Sequence, residues 1–286
     1  MIRIKKEMFN RIAIIGVGLI GGSIGLAIKK KSLAREVVGV CRHTDSLRRA
    51  RLIKAIDRGS LNYKDAVKNA DLVILAAPIG QIIKIGKKIT PYLKEGCLVT
   101  DVGSTKFELV RGIERAYARR KIFFVGAHPL AGSEKRGSKF ARADLFQGAL
   151  CILTKTAKTN SSALKAISKF WKGLGSRITV LPARRHDEIV ALISHLPHLA
   201  AGQLVKAARG SLAFAASGFF DTTRIASSDA EVWTDTFLTN KGFVLEGLGS
   251  YIKNLKTIRD LIRKEDKRKL SAEFRKIKTL RDGLQK

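Results

Sequence analysis

The chain has 286 residues, 45% of them hydrophobic, which gives room for one large or two ordinary domains with a buried core and excludes a disordered chain. Lys and Arg number 55 against 24 acids, a formal charge of +31 that suits anionic ligands. The basic residues are spread along the whole chain with no zinc-finger spacing, RNP-like motif or basic zipper, so neither nucleic acid nor a membrane is the expected partner. The scattered Cys41, Cys97 and Cys151 form no metal-type pair and exclude a disulfide framework, as a reducing, cytoplasmic setting would require.

An apolar, strand-like run at residues 12–15 leads directly into Gly16-x-Gly18-x-x-Gly21, and an apolar run without Pro follows that can wind as a helix. A GxGxxG in that setting is a dinucleotide-binding turn. Gly16 permits the tight turn, Gly18 lets a pyrophosphate reach bare backbone, and Gly21 lets the helix lie close to the strand. The expected cofactor contacts are Gly16, Gly18, Leu19, Ile20 and Gly21, whose backbone meets the phosphates at the positive end of the helix. Residues 12–28 are uncharged and could also read as a signal peptide or a short membrane span. Five glycines within them, and a second strand-like run at 37–40, argue against that.

The second strand is expected at residues 36–41. The residue that selects the cofactor normally stands at the end of this strand, about 20 positions past the glycines. There the chain reads Cys41-Arg42-His43, with no carboxylate for a ribose 2′-OH. Arg42 can pair a 2′-phosphate or stack on adenine, so NADP is favoured over NAD. A helix should start at Thr44 or Asp45 and run to about residue 56. Apolar strands follow at 71–78, 96–101, 121–129 and 148–154. Alternation of such strands with helical stretches predicts a parallel, Rossmann-type sheet covered on both faces, with ligands at the carboxyl ends of its strands.

From about residue 161 long helical periodicities replace strands, apart from residues 177–181, which can pair at the sheet edge. Residues 186–208 read as helical apart from Pro197. Ile252, Leu255, Ile258, Leu261 and Ile262 recur at helical spacing, as do Leu270, Phe274, Ile277, Leu280 and Leu284. The expected organisation is an α/β chain: an N-terminal Rossmann-type parallel sheet domain, residues 1–160, followed by an all-helical C-terminal domain, residues 161–286. The amphipathic helices of the second domain suit a homodimer interface.

The polar groups isolated in otherwise apolar loops are Ser104, His128, Glu134, His195, His198 and Arg224. His128 stands where a strand should end, so its imidazole can face the nicotinamide end of a cofactor and accept a hydroxyl proton as hydride leaves. Read alone, a single His at a strand end is more often structural. His195 and His198 share one helical face, but no carboxylate-rich motif accompanies them and no metal is expected. Arg224 is the right fork for a substrate carboxylate, or else a plain surface Arg of a very basic chain.

Five segments in order give these residues a context: Gly16-Val-Gly-Leu-Ile-Gly-Gly-Ser, Asp101-Val-Gly-Ser-Thr-Lys106, His128-Pro-Leu-Ala-Gly-Ser-Glu134, Ser194-His-Leu-Pro-His198, and Phe219-Phe-Asp-Thr-Thr-Arg-Ile-Ala226 through Trp233. Together they resemble the prephenate/arogenate dehydrogenase family of tyrosine biosynthesis over nearly the whole chain. The resemblance implies an NAD(P)-dependent oxidative decarboxylation of prephenate to 4-hydroxyphenylpyruvate, or of arogenate to tyrosine. It implies that His128 polarises the ring 4-hydroxyl, that Ser104 bonds the same hydroxyl or the histidine beside the cofactor, and that Arg224 anchors a carboxylate. By the same resemblance His198, with His195 nearby, holds the side-chain end, Trp233 walls the pocket and Glu134 is a gating acid. The strand end at Arg42 lacks the acid of the NAD-preferring members. A chain of this length leaves no room for an added regulatory or mutase domain, so tyrosine feedback would be confined to the active site. Two rivals remain: a β-hydroxyacid dehydrogenase, which would want a Lys where Ser194 to His198 stand, and a basic nucleic-acid-binding protein built on a Rossmann domain.

Overall fold

A computed structural model describes residues 7–118, 120–132 and 137–284. β1 (Phe9–Ile15) leads through Gly16 into α1 (Leu19–Lys31), β2 (Ala34–Val40), α2 (Thr44–Leu52), β3 (Arg58–Ser60) and α3 (Tyr63–Val67). The chain then alternates through β4 (Leu72–Leu75), α4 (Ile79–Ile89), β5 (Leu98–Asp101), α5 (Phe107–Tyr117) and β6 (Phe123–Pro129). β7 (Leu150–Lys155), α6 (Ser161–Leu174) and β8 (Arg177–Pro182) complete one eight-stranded sheet, in the order β3-β2-β1-β4-β5-β6-β7-β8.

Side chains of successive strand residues point to opposite faces, and both faces are dry. On one side Ile12 and Ile14 pack with Ile24 and Ile28 of α1 and with Phe170 and Trp171 of α6. On the other, Ala13 and Ile15 join Ile82 and Ile85 of α4 and Ile113 of α5. The near-continuous apolar strands of the sequence are the direct result of this double cover.

Neighbouring strands pair in parallel, except β7, which runs antiparallel to β6. The sheet is the expected parallel, Rossmann-type one apart from that one ladder. Between β6 and β7 the described residues hold a single short turn of 3-10 helix at Ser138–Phe140, and a chain without a crossover helix re-enters a sheet running backwards. α6 then supplies the crossover that makes β8 parallel to β7. The sheet and its cover thus continue past residue 160.

After β8 come α7 (Ala183–Val190), a π-helical turn at Ala191–His195, α8 (Leu196–Ala207), α9 (Ser217–Thr223) and α10 (Ala230–Thr239). Ala183–Ala207 is long and apolar enough to cross a membrane by length and composition, yet its polar residues His186, Asp187 and His195 are buried in protein. The sheet and these helices form one compact unit that ends at Asn240, and residues 241–286 form a second. Within the second, α11 (Lys241–Arg263) packs on α12 (Lys267–Asp282), and Ile252, Leu255, Ile262, Phe274, Ile277 and Leu280 are exposed. Such a set of exposed large apolar side chains marks an interaction surface.

Strand order reverses at β1, with β2 and β3 on one side and β4 onward on the other, so a crevice opens at the carboxyl ends of β1 and β4. Gly16 has φ +98°, in the left-handed region, and a Cβ there would lie 2.3 Å from the Ala76 carbonyl oxygen. A Cβ on Gly21 would lie 1.9 Å from the carbonyl oxygen of Gly16. The start of α1 is therefore locked against its own turn. Gly21→Ala should destabilise the protein by about 1–3 kcal/mol through overpacking, read as a lower urea midpoint. An unchanged midpoint would contradict the close approach.

Candidate active site

The crevice beyond β1 and β4 measures about 760 Å³ and is lined by Gly16, Val17, Gly18, the Ala76–Pro78 corner and, from the helical part, Val232 and Asp235 of α10. The residues present fit a dinucleotide. Gly18 faces open space where a Cβ would stand, and α1 begins with no side chain capping its N–H groups. Backbone donors at a helix N-terminus are thus left for phosphate. At the β2 end the lining is Arg42, His43, Ser46 and Arg49, two guanidinium groups with a hydroxyl between them in sequence.

The loop after β5 is fixed from inside. Lys106 and Asp101 are both fully buried and ion-paired at 2.5 Å. The ammonium also donates to the carbonyl oxygens of Gly103 and Thr105, at 2.7 and 3.1 Å, and Asp101 accepts the N–H groups of Gly103 and Ala127. Every polar atom of the pair has a partner, the condition under which a buried ion pair is tolerated. Ser104 at the tip of this loop bonds the Thr236 hydroxyl at 3.1 Å, and Thr105 bonds Thr239 at 2.9 Å, both on α10. Thr236 donates its own proton to the Val232 carbonyl, so Ser104 is the donor in the shared bond. The expected alternative of a Ser104 bond to His128 is not the one found. His128 bonds His186 instead.

His128, near the carboxyl end of β6, is partly exposed, with Nδ1 2.8 Å from Nε2 of His186. Nδ1 of His186 lies 2.7 Å from Oδ1 of Asp187. Asp187 in turn accepts the backbone N–H groups of Lys106 and Phe107, at 2.7 and 2.8 Å, and so caps the N-terminus of α5. Burial, reinforced by the neighbouring His186, Lys106 and His195, holds His128 well below the ordinary histidine range. Burial also lowers His186, outweighing the upward pull of Asp187.

His195 is buried at the end of the π-helical turn, where its Nδ1 meets the Asn240 side-chain amide at 3.1 Å, and burial lowers its pKa to about 4. The same amide donates to the Asp187 carbonyl. His198, one turn on, stacks on Trp233 with ring centroids 3.6 Å apart and planes 9° from parallel; burial lowers its pKa as well. Trp233 and Phe237 also contact His195 edge-on. Arg224 is exposed, opens a short turn packed on α8, and has no acidic partner among the described residues. Glu134 lies outside the described residues.

Ser104, His195, His198 and Trp233 are thus tied together by α10, His128 is linked to them through His186, Asp187 and Asn240, and Arg42 and the glycine turn lie in the crevice that α10 also lines. Sequence reasoning missed His186, Asp187, Asn240, Thr236 and the inward role of Lys106. One signal existed. Ala183, His186, Asp187 and Val190 are the buried stripe of α7, and a His-Asp pair on an apolar helix face needs internal partners.

Fold and crevice define a dinucleotide-binding protein of the Rossmann class. Comparison with known proteins narrows this. Residues 24–180 match the family model for the prephenate dehydrogenase nucleotide-binding domain, and residues 182–276 match that for the prephenate dehydrogenase dimerization domain. Prephenate dehydrogenase of Bacillus subtilis is 35% identical over 98% of this chain and 77% of its own length. Cyclohexadienyl dehydrogenase of Zymomonas mobilis is 34% identical over 97% of each chain. The crystal structure of Aquifex aeolicus prephenate dehydrogenase with hydroxyphenyl propionate and NAD+ superposes with a TM-score of 0.90 at 31% identity, covering 97% of this chain and 99% of that one. Synechocystis arogenate dehydrogenase does so with 0.83 at 27% identity, covering 95% and 99%. The chain belongs to the prephenate dehydrogenase family, oxidoreductases that use a nicotinamide cofactor.

Two consequences of the buried network can be measured. Lys106→Met leaves Asp101 without its counter-ion and should cost roughly 3–5 kcal/mol in urea unfolding. His195 sits at about 4 when folded against an ordinary 6.5, so below 6.5 the unfolded chain binds its proton more readily. The stability it contributes is full above 6.5 and is lost as pH falls towards 4, on the order of 3 kcal/mol in all. His195→Gln should flatten that part of the stability profile between pH 7 and 4; an identical profile would contradict the assignment.

Proposed function

We propose that the protein is a prephenate dehydrogenase, converting prephenate to 4-hydroxyphenylpyruvate by oxidative decarboxylation. The observation that carries the reading is the neutral, internally hydrogen-bonded His128 at the carboxyl edge of the sheet that also bears the glycine turn. A bound nicotinamide supplies the acceptor for the hydride that leaves ring C4. His128 takes the proton of the 4-hydroxyl at that moment, as an imidazole held in its base form can. Loss of the ring carboxylate as CO2 then drives electrons into the ring, and the proton returns from His128 to the phenolate oxygen. Aromatisation makes the sequence strongly downhill, so the protein mainly positions the substrate and handles one proton.

The remaining residues divide the substrate between them in this reading. Ser104, whose hydroxyl proton is shared with Thr236 in this structure, turns that proton to the oxygen of the 4-hydroxyl, whose own proton goes to His128, beside the cofactor. Arg224, with no acidic partner among the described residues, takes a substrate carboxylate by a two-pronged hydrogen bond. His198 and Trp233 form an aromatic wall at the side-chain end, His195 supports it from behind, and Glu134 gates entry. Residues 1–160 serve the cofactor and lend His128 and Ser104 to the reacting end of the substrate, while residues 161–286 serve the rest of the substrate and a homodimer contact, the latter supported by the dimerization-domain match and the exposed apolar residues of α11 and α12. NADP is the preferred cofactor, because Arg42 and Arg49 flank Ser46 at the adenosine end and the backbone turn there lacks an acid at positions 41–43. Arogenate oxidation is the second reading, favoured by the likeness to the Synechocystis arogenate dehydrogenase.

Following the absorbance of reduced nicotinamide while crossing prephenate and arogenate with NADP and NAD decides both choices. Prephenate with NADP should give the highest kcat/KM; no turnover with either substrate would refute the reading. His128→Asn should lower kcat about 10²–10⁴-fold. Arg224→Gln, which leaves an amide to donate one of the two bonds, should raise KM roughly 10–100-fold at near-constant kcat, the value of the one charged hydrogen bond lost.

A further inference from the structure

Behind His128 lies a two-link chain for which that scheme has no use. Oδ1 of Asp187 accepts from the Lys106 N–H and Oδ2 from the Phe107 N–H, so this carboxylate is an acceptor on both oxygens. The proton in its 2.7 Å bond to His186 therefore sits on His186 Nδ1. His186 is buried and neutral, which makes its Nε2 a lone pair and assigns the proton of the 2.8 Å bond to Nδ1 of His128. Nε2 of His128 is then left as the base.

We propose that His186 and Asp187 are positioning residues that hold His128 in its Nδ1–H tautomer and take up the positive charge when Nε2 accepts a proton. As Nε2 of His128 gains the substrate proton, the Nδ1 proton moves across the shared bond to His186 Nε2. His128 stays neutral, and the cation rests on His186 against the Asp187 carboxylate. Return of the proton to the product oxygen reverses both transfers, so nothing is gained or lost over a cycle. The surroundings explain why the charge is passed on. Facing the pair are His195, the thiol of Cys151, and Lys106 with its partner Asp101; Lys106 and its ion-pair partner neutralise each other. Among the described residues, Asp187 beside the pair has no Lys or Arg side chain as an ion-pair partner, and it touches His186, not His128. The arrangement extends a His–carboxylate pair by one imidazole.

The kinetic part of the inference rests on the proposed role of His128; the tautomer part does not. Nitrogen-15 NMR of the histidine side chains in the full chain at pH 7, assigned through backbone resonances, should show His128 and His186 both protonated on Nδ1. His128 protonated on Nε2 would overturn the proposal whatever the protein catalyses. His186→Gln keeps an oxygen acceptor for His128 but cannot carry a proton. It should lower kcat roughly 10–100-fold, the range for a partner one step behind the reacting group, with KM within about twofold. The acid limb of its kcat–pH profile should move to lower pH, because the isolated base is weaker. Wild-type kcat, a loss confined to KM, or an unmoved acid limb would each overturn the relay. Lack of turnover by the wild-type chain would instead refute the functional reading, and the tautomers would still decide this one.

Discussion

The carboxylate of Asp187 is where three parts of the molecule meet. It closes the N-terminus of α5 through two backbone N–H groups, orients His186 through a third bond, and its own backbone carbonyl receives the Asn240 amide that fixes His195. A buried anion is costly to desolvate and is tolerated only while its donors stay in place. α7 therefore cannot slide on α5 without orphaning the charge. The same constraint that joins sheet to helices sets the orientation of both inner histidines.

α10 plays the complementary part from the open side. Successive residues on it reach different neighbours: Asp235 accepts the Gly80 N–H at the start of α4, Thr236 and Thr239 hold the Ser104–Thr105 loop, and Trp233 and Phe237 pack on His195 and His198. One short helix thus fixes the spacing between crevice and histidine cluster. The loop it grips is stiffened from beneath by Lys106, whose ammonium bonds two carbonyls and Asp101. A hydride transfer needs that spacing held to a fraction of an ångström, and rigid elements hold it better than free loops.

What was legible in the sequence is what is written locally. The glycine turn, the apolar strands, and the helical spacing of His195 and His198 each depend on residues a few positions apart. The reversal of β7 was not legible, because it depends on the β6–β7 connection, whose described residues hold no crossover helix, rather than on any pattern within β7. His186 reads as one polar residue of an amphipathic helix until β6, 58 positions earlier, brings His128 to it. Ser104 shows the same limit, since its hydroxyl partner Thr236 is 132 positions away. The motif Asp101-Val-Gly-Ser-Thr-Lys106 does not say which way its lysine points; only the fold reveals that it faces inward against Asp101.

The unusual charge and the neutral histidines belong together. A chain with 31 excess positive charges surrounds its cleft with a field that draws anions in, as a dinucleotide and a dicarboxylate both require. That field also disfavours any further cation, and burial acts in the same direction on His128, His186, His195 and His198. A base kept neutral this firmly is always ready to accept a proton but poorly able to keep one. The acidic residue that resolves the conflict must lie close enough to share the charge, yet far enough that it does not compete with the substrate for the reacting nitrogen. A carboxylate set one imidazole behind the proposed base His128 meets both conditions, and that is the position Asp187 occupies.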